Sequence, residues 1–146
     1  MKIAIGADHA GLELKNKIVS NLEETNYQII DVGAHDFDPN DDYPDFSQRV
    51  AELISNKTVD RGIMICGSGV GATIASNKVP RVRASVCHDL YSASQGVEHD
   101  DMNLICIGIC LEFFLKSRIT KYLEKIGLQS KEVVSVFIVS SILIPN

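Results

Sequence analysis

The chain lacks the marks of several specialised classes. Its four cysteines, at positions 66, 87, 106 and 110, form no Cys-x-x-Cys pair, so they read as reduced thiols in a cytoplasmic setting and not as a disulfide framework. No basic run is present. Fourteen lysines and arginines against 19 acidic residues give a formal charge of −5, which argues against non-specific nucleic-acid binding. No apolar stretch approaches the roughly 20 residues that cross a bilayer. The most apolar, Val133 to Ile144, is interrupted by Ser135, Ser140 and Ser141, so no membrane partner is expected. The opening Met1-Lys2-Ile3-Ala4-Ile5-Gly6 has one basic residue and a short apolar run, as a strand does and a secretion signal does not. Repeats, low-complexity segments and linkers are also missing. What remains is an ordinary globular composition, 45% apolar and 23% charged over 146 residues. One domain spanning 1–146 buries roughly 70% of its unfolded surface without a staple.

Apolar runs at Lys2 to Ala7, Gln28 to Val32, Gly62 to Cys66, Arg83 to Cys87 and Asn103 to Gly108 predict five strands. Helical spacing fills the intervals. Leu14, Ile18 and Leu22 mark a first helix, and Phe46, Val50, Leu53 and Ile54 a second, with Pro44 in its opening turn. Ala72 to Lys78 and Asp89 to Glu98 are expected as the next two. Leu111, Phe114, Leu115, Ile119, Tyr122, Leu123 and Ile126 stripe a fifth. Strict alternation predicts an α/β, Rossmann-like three-layer αβα sandwich around a five-stranded parallel sheet.

Ligands of such sheets bind beyond the carboxyl ends of the strands, where strand order reverses. For the common order 2-1-3-4-5 that point lies between strands one and three. The polar residues following those strands are Asp8-His9 and Cys66 to Gly71. Gly67-Ser68-Gly69-Val70-Gly71 stands between a strand and a helix N-terminus, where inward amides and partial positive charge suit a phosphate or an oxyanion. The plainer alternative is a tight turn without a ligand. The spacing is neither the dinucleotide GxGxxG nor the Walker pattern, whose lysine is absent. Cys66 taken alone is more often a small core residue. Its place beside a helix N-terminus favours the thiolate and so a chemical role. Asp8 and His9 have plain readings as a helix cap and a surface histidine. His99, in an acidic loop, reads by itself as solvated. His35 and His88 have no supporting pattern, Cys106 and Cys110 read as core packing, and the aspartates at 36, 38, 41 and 42 read as a solvated loop.

Several stretches taken together carry a resemblance. They are Gly6-Ala7-Asp8-His9-Ala10-Gly11, Asp42-Tyr43-Pro44-Asp45, Ile65-Cys66-Gly67-Ser68-Gly69-Val70-Gly71, Asn77-Lys78-Val79-Pro80 with Arg83-Ala84, and His99 with Asp101 and Asn103. From Met1 to about Gly108 the chain resembles the ribose-5-phosphate isomerase B family, which also contains galactose-6-phosphate isomerase subunits. The resemblance implies an aldose–ketose isomerase that uses no metal and no cofactor and converts ribose 5-phosphate to ribulose 5-phosphate through an enediolate. By the same resemblance Cys66 is the base, Ser68 shuttles a proton between sugar oxygens, Asp8 and His99 open the ring, and His9 contacts phosphate. The amides of Gly67, Gly69, Val70 and Gly71, together with Asp100, would line the substrate. Some relatives place a glutamate base just after the turn; Ala72 here cannot serve, so the chain is of the cysteine type.

His99 presents a difficulty, because it precedes strand five and Cys66 ends strand three. The family shares its sites across a homodimer, sometimes a dimer of dimers, so delivery of His99 by the partner chain is the expected solution. The chain also departs from the family pattern. Cys110 and the segment Lys131 to Val139 stand where arginines are usual, and Asp100 stands where asparagine is usual. Arg81, Arg83, Lys116, Arg118 and Lys131 are the available cations. The apolar tail, 129–146, is expected to pack on a partner subunit. Galactose-6-phosphate isomerase and a silent sugar-phosphate-binding paralogue are the competing expectations.

Overall fold

A computed structural model describes residues 1–109. The expected fifth helix and the 129–146 tail lie outside the described residues. Five strands alternate with four helices: β1 (Lys2–Ala7), α1 (Leu12–Glu23), β2 (Gln28–Asp31), α2 (Tyr43–Ser55), β3 (Arg61–Cys66), α3 (Val70–Ser76), β4 (Ala84–Val86), α4 (Leu90–Asp100) and β5 (Leu104–Gly108). All pair in parallel, giving the α/β three-layer architecture that alternation predicts.

Strand periodicity sorts the apolar side chains between two faces. Ile3, Ile5, Ile63, Ile65, Ile105 and Ile107 point to one face, where Leu14, Ile18 and Leu22 of α1 and Ala93 of α4 cover them. Ala4, Met64, Leu104 and Cys106 point to the other, beneath Phe46, Val50, Ala51 and Ile54 of α2 and Ala72 of α3. Cys66 belongs to this second face. Burial on both sides explains why β1, β3 and β5 read as continuous apolar runs. Lys15 of α1 is 1% exposed, and its ammonium is neutralised by the Asp31 carboxylate at the end of β2. Among the described residues no helix is long and apolar enough to cross a membrane.

The strand order is β2-β1-β3-β5-β4, not the 2-1-3-4-5 expected from the sequence. The physical reason is burial. Every residue of β5 is buried, whereas β4 has three residues, none of them fully buried. The more apolar strand takes the interior place and the short one the edge. Cys66 therefore pairs with Gly108 of β5.

Candidate active site

Two loops meet where β1 and β3 end. The Asp8 amide donates to the Ile65 carbonyl at 3.3 Å, stitching the loop after β1 onto β3. Asp8 Oδ1 accepts from the Gly11 amide at 3.0 Å, in the turn that leads into α1. The carboxyl is buried, and burial pushes its pKa up against the lowering effect of the Gly11 amide. Such a group keeps its proton to higher pH than an exposed aspartic acid does.

The His9 ring nitrogen Nδ1 lies 2.6 Å from Asp41 Oδ1, and the His9 amide donates to the same oxygen at 2.9 Å. The hydrogen bond to Asp41 raises the imidazole pKa despite the opposing cost of desolvation. The Phe37 ring meets the imidazole edge-on, centroids 6.0 Å apart.

Beyond β3, Cys66 Sγ accepts from the Gly69 amide at 3.2 Å. The residue is 3% exposed, so its sulfur forms the floor of the site and not the rim. Gly69 makes this possible with φ +79, a left-handed conformation that side chains disfavour. Ser68 is exposed, and its Oγ accepts from the Val70 amide at 3.3 Å. The amides of Gly67, Ser68 and Gly71 have no partner among the described residues and are available to an anion. Gly67 borders open space: a Cβ placed there would meet nothing within 4 Å. Gly108 is the opposite case, lying so close beneath the turn that its Cβ would fall 2.5 Å from the Ser68 carbonyl.

The structure thus brings together Asp8, His9, Cys66, Ser68 and the turn through Gly71. It does not bring His99 or Asp100 to them within one chain. Both lie in the last turn of α4, which runs from the carboxyl end of β4 back to the amino end of β5. Leu104 pairs with Gly62 and Gly108 with Cys66, so the length of β5, about 13 Å, separates the two groups along the strand direction. Both residues are exposed. Arg81 and Arg83 are at that far end too. They line a cleft of about 390 Å³ with Lys57 and Asn103, and Arg83 pairs with Asp101 at 2.5 Å.

Two neighbours of the site were not legible as such. Tyr43 packs on the turn, its ring so near Gly71 that a Cβ there would lie 2.6 Å from Cζ. Asp41 reads in the sequence as part of a solvated acidic loop, yet its side chain is 11% exposed and holds His9. Its contact spans 32 residues, and no local spacing announces it. Tyr43 at least stands within a family-like segment, Asp42-Tyr43-Pro44-Asp45.

Comparison with known proteins gives this geometry a family. The chain is 43% identical over 107 residues to ribose-5-phosphate isomerase B of Escherichia coli, covering 73% of this chain and 71% of that one. It is 41% identical over 108 residues to the putative sugar phosphate isomerase YwlF of Bacillus subtilis, covering 74% and 72%. Among solved structures, ribose-5-phosphate isomerase B from Mycoplasma genitalium with bound ribulose-5-phosphate matches with a TM-score of 0.80 at 34% identity, covering 99% of this chain and 84% of that one. A family model described as Ribose/Galactose Isomerase matches residues 3–125, and the chain belongs to that family.

Proposed function

We propose that the protein is a homodimeric isomerase interconverting ribose 5-phosphate and ribulose 5-phosphate by proton transfer through its own side chains, without metal or cofactor. The observation that carries this reading is the meeting of Asp8, His9 and Cys66 with amides that have no partner among the described residues, at the β1–β3 crevice of a chain whose relative binds ribulose-5-phosphate.

The chemistry follows from these groups. Asp8 and His99 of the partner subunit open the sugar ring, one taking the proton of the anomeric hydroxyl and the other protonating the ring oxygen. The upward shift of the Asp8 carboxyl suits it to hold and give that proton. Cys66 Sγ then takes the proton from C2, and the electron pair left behind forms the C1–C2 double bond of an enediolate with charge on O1. Turn amides facing that oxygen stabilise it, each typically worth about 3–4 kcal/mol at the transition state. Ser68 relays the O2 proton to O1, and the Cys66 thiol returns its proton to C1, leaving the ketone at C2. His9 holds the phosphate. Arg81 and Arg83, at the far end of the sheet, are not in reach of the same chain's site.

The reading is tested by following ketose formation from ribose 5-phosphate with wild type and with Cys66→Ala. Conversion by the wild type that the substitution abolishes supports it. No conversion by the wild type refutes it, and turnover of galactose 6-phosphate instead moves the substrate to the family's other branch. Site sharing has its own test. Mixed Cys66→Ala and His99→Ala chains regain about a quarter of wild-type activity, because half the dimers are mixed and each mixed dimer has one intact site. Mixtures as inactive as either parent place His99 within its own chain's site, and a His99→Ala chain that is fully active by itself places His99 outside the reaction.

A further inference from the structure

Asp41 lies in the loop before α2, far in sequence from the residues that carry the chemistry. Its carboxylate nevertheless holds His9 at two points, the ring Nδ1 at 2.6 Å and the main-chain amide at 2.9 Å, both through Oδ1. The second oxygen, Oδ2, is buried and has no hydrogen-bond partner among the described residues, so no other group competes with His9 for this carboxylate. We propose that Asp41 is a positioning residue that fixes His9 Nδ1, so that His9 presents Nε2–H to the phosphate of the substrate as an imidazolium. The identity of that anion rests on the isomerase reading above.

The argument turns on the tautomer. With Nδ1 donating to Asp41, a neutral His9 has its only ring hydrogen on that side, and Nε2 offers a lone pair that repels a phosphate oxygen. Only the imidazolium has a second N–H to give. His9 therefore binds an anion in proportion to its protonated fraction, and the Asp41 bond raises that fraction at neutral pH. The other charged group facing the ring is Asp8, which acts in the same direction; Phe37, also in contact, is uncharged. A raised imidazole pKa keeps the charged form to higher pH than a free imidazole does and loses it as pH climbs through the folded value.

The test is Asp41→Asn in the full-length dimer, read by kinetics and by NMR titration of the His9 ring. The expected result is an increase in KM of about tenfold near pH 8 that shrinks toward pH 6, where His9 is protonated with or without Asp41, while kcat moves less than about twofold. Competitive inhibition by inorganic phosphate weakens with the same pH dependence. The His9 ring titrates at lower pH in the variant, and Asp41→Glu restores part of the shift. In a His9→Gln background Asp41→Asn has no further effect on KM, which a role confined to loop stability would not produce. An unchanged His9 titration in Asp41→Asn, or an equal rise in KM at both pH values, overturns the proposal. An inactive wild type would refute the isomerase reading alone, because the NMR titration and phosphate binding are read without turnover.

Discussion

Replacing Gly108 by alanine tests how closely the sheet supports the turn after Cys66. Gly108 ends β5 opposite Cys66, and the first atoms its Cβ would meet are Ser68 C and O, both at 2.5 Å, then Ser68 Cα at 2.9 Å. Ordinary contact begins near 3.4 Å, so the turn backbone must move by about 0.9 Å. Flexible side chains yield to such intrusions, but here the three nearest atoms are all main chain. The turn cannot slide freely either, being tied by the Gly69 amide to Cys66 Sγ at 3.2 Å. Overpacking of this kind costs about 2 kcal/mol, which lowers the thermal midpoint by about 4–8 °C in a chain of this size. The larger effect falls on turnover. Moving Ser68 and its neighbouring amides by most of an ångström lowers kcat/KM for ribose 5-phosphate by about 100-fold. The control is Gly96→Ala in α4, whose Cβ would meet the flexible Met102 side chain first, at 3.2 Å; it should cost little stability and leave turnover intact. Wild-type kcat/KM in Gly108→Ala would refute the claim that β5 sets the position of the turn.

Other perturbations follow from the same geometry. Cys106 is fully buried and its thiol is pushed up to about 12, so iodoacetamide near pH 8 should leave it unmodified in the folded protein and alkylate it after denaturation, as read by peptide mass. Labelling of Cys106 at the rate of a free thiol would show that the sheet opens there. Asp31→Asn should destabilise the fold by about 2–3 kcal/mol, less than a fully enclosed pair would lose because Asp31 stays a quarter exposed, while Lys15→Met should be close to neutral. Equal losses for the two substitutions, measured by chemical denaturation, would contradict the view that an orphaned buried ammonium is what costs.

Much of the architecture is legible from apolar runs alone, because β1, β3 and β5 are covered on both faces and β1 keeps the bounds its run predicts. Order within the sheet is not. Periodicity reports which residues are buried but not which neighbour buries them, and Ala84-Ser85-Val86 differs from a central strand only by being short and partly exposed. The site shows the same division. Asp8, His9 and the turn after Cys66 were visible because each directly follows a strand whose carboxyl end faces the crevice. Asp41 was not, since an aspartate among aspartates looks solvated until folding sets it against an imidazole 32 residues away. His99 was singled out by the resemblance, with its distance from Cys66 as the difficulty, and the path of α4 supplies the reason for that distance.

The glycines around Cys66 are not interchangeable as material for change. Gly69, Gly71 and Gly108 each have an atom within 2.7 Å of where a side chain would begin, so selection cannot enlarge them without displacing the groups packed around the turn. Gly67 alone borders vacant room. A lineage, or an engineer, wishing to exclude bulkier ligands from the crevice could thicken its wall at that one residue and leave the scaffold untouched.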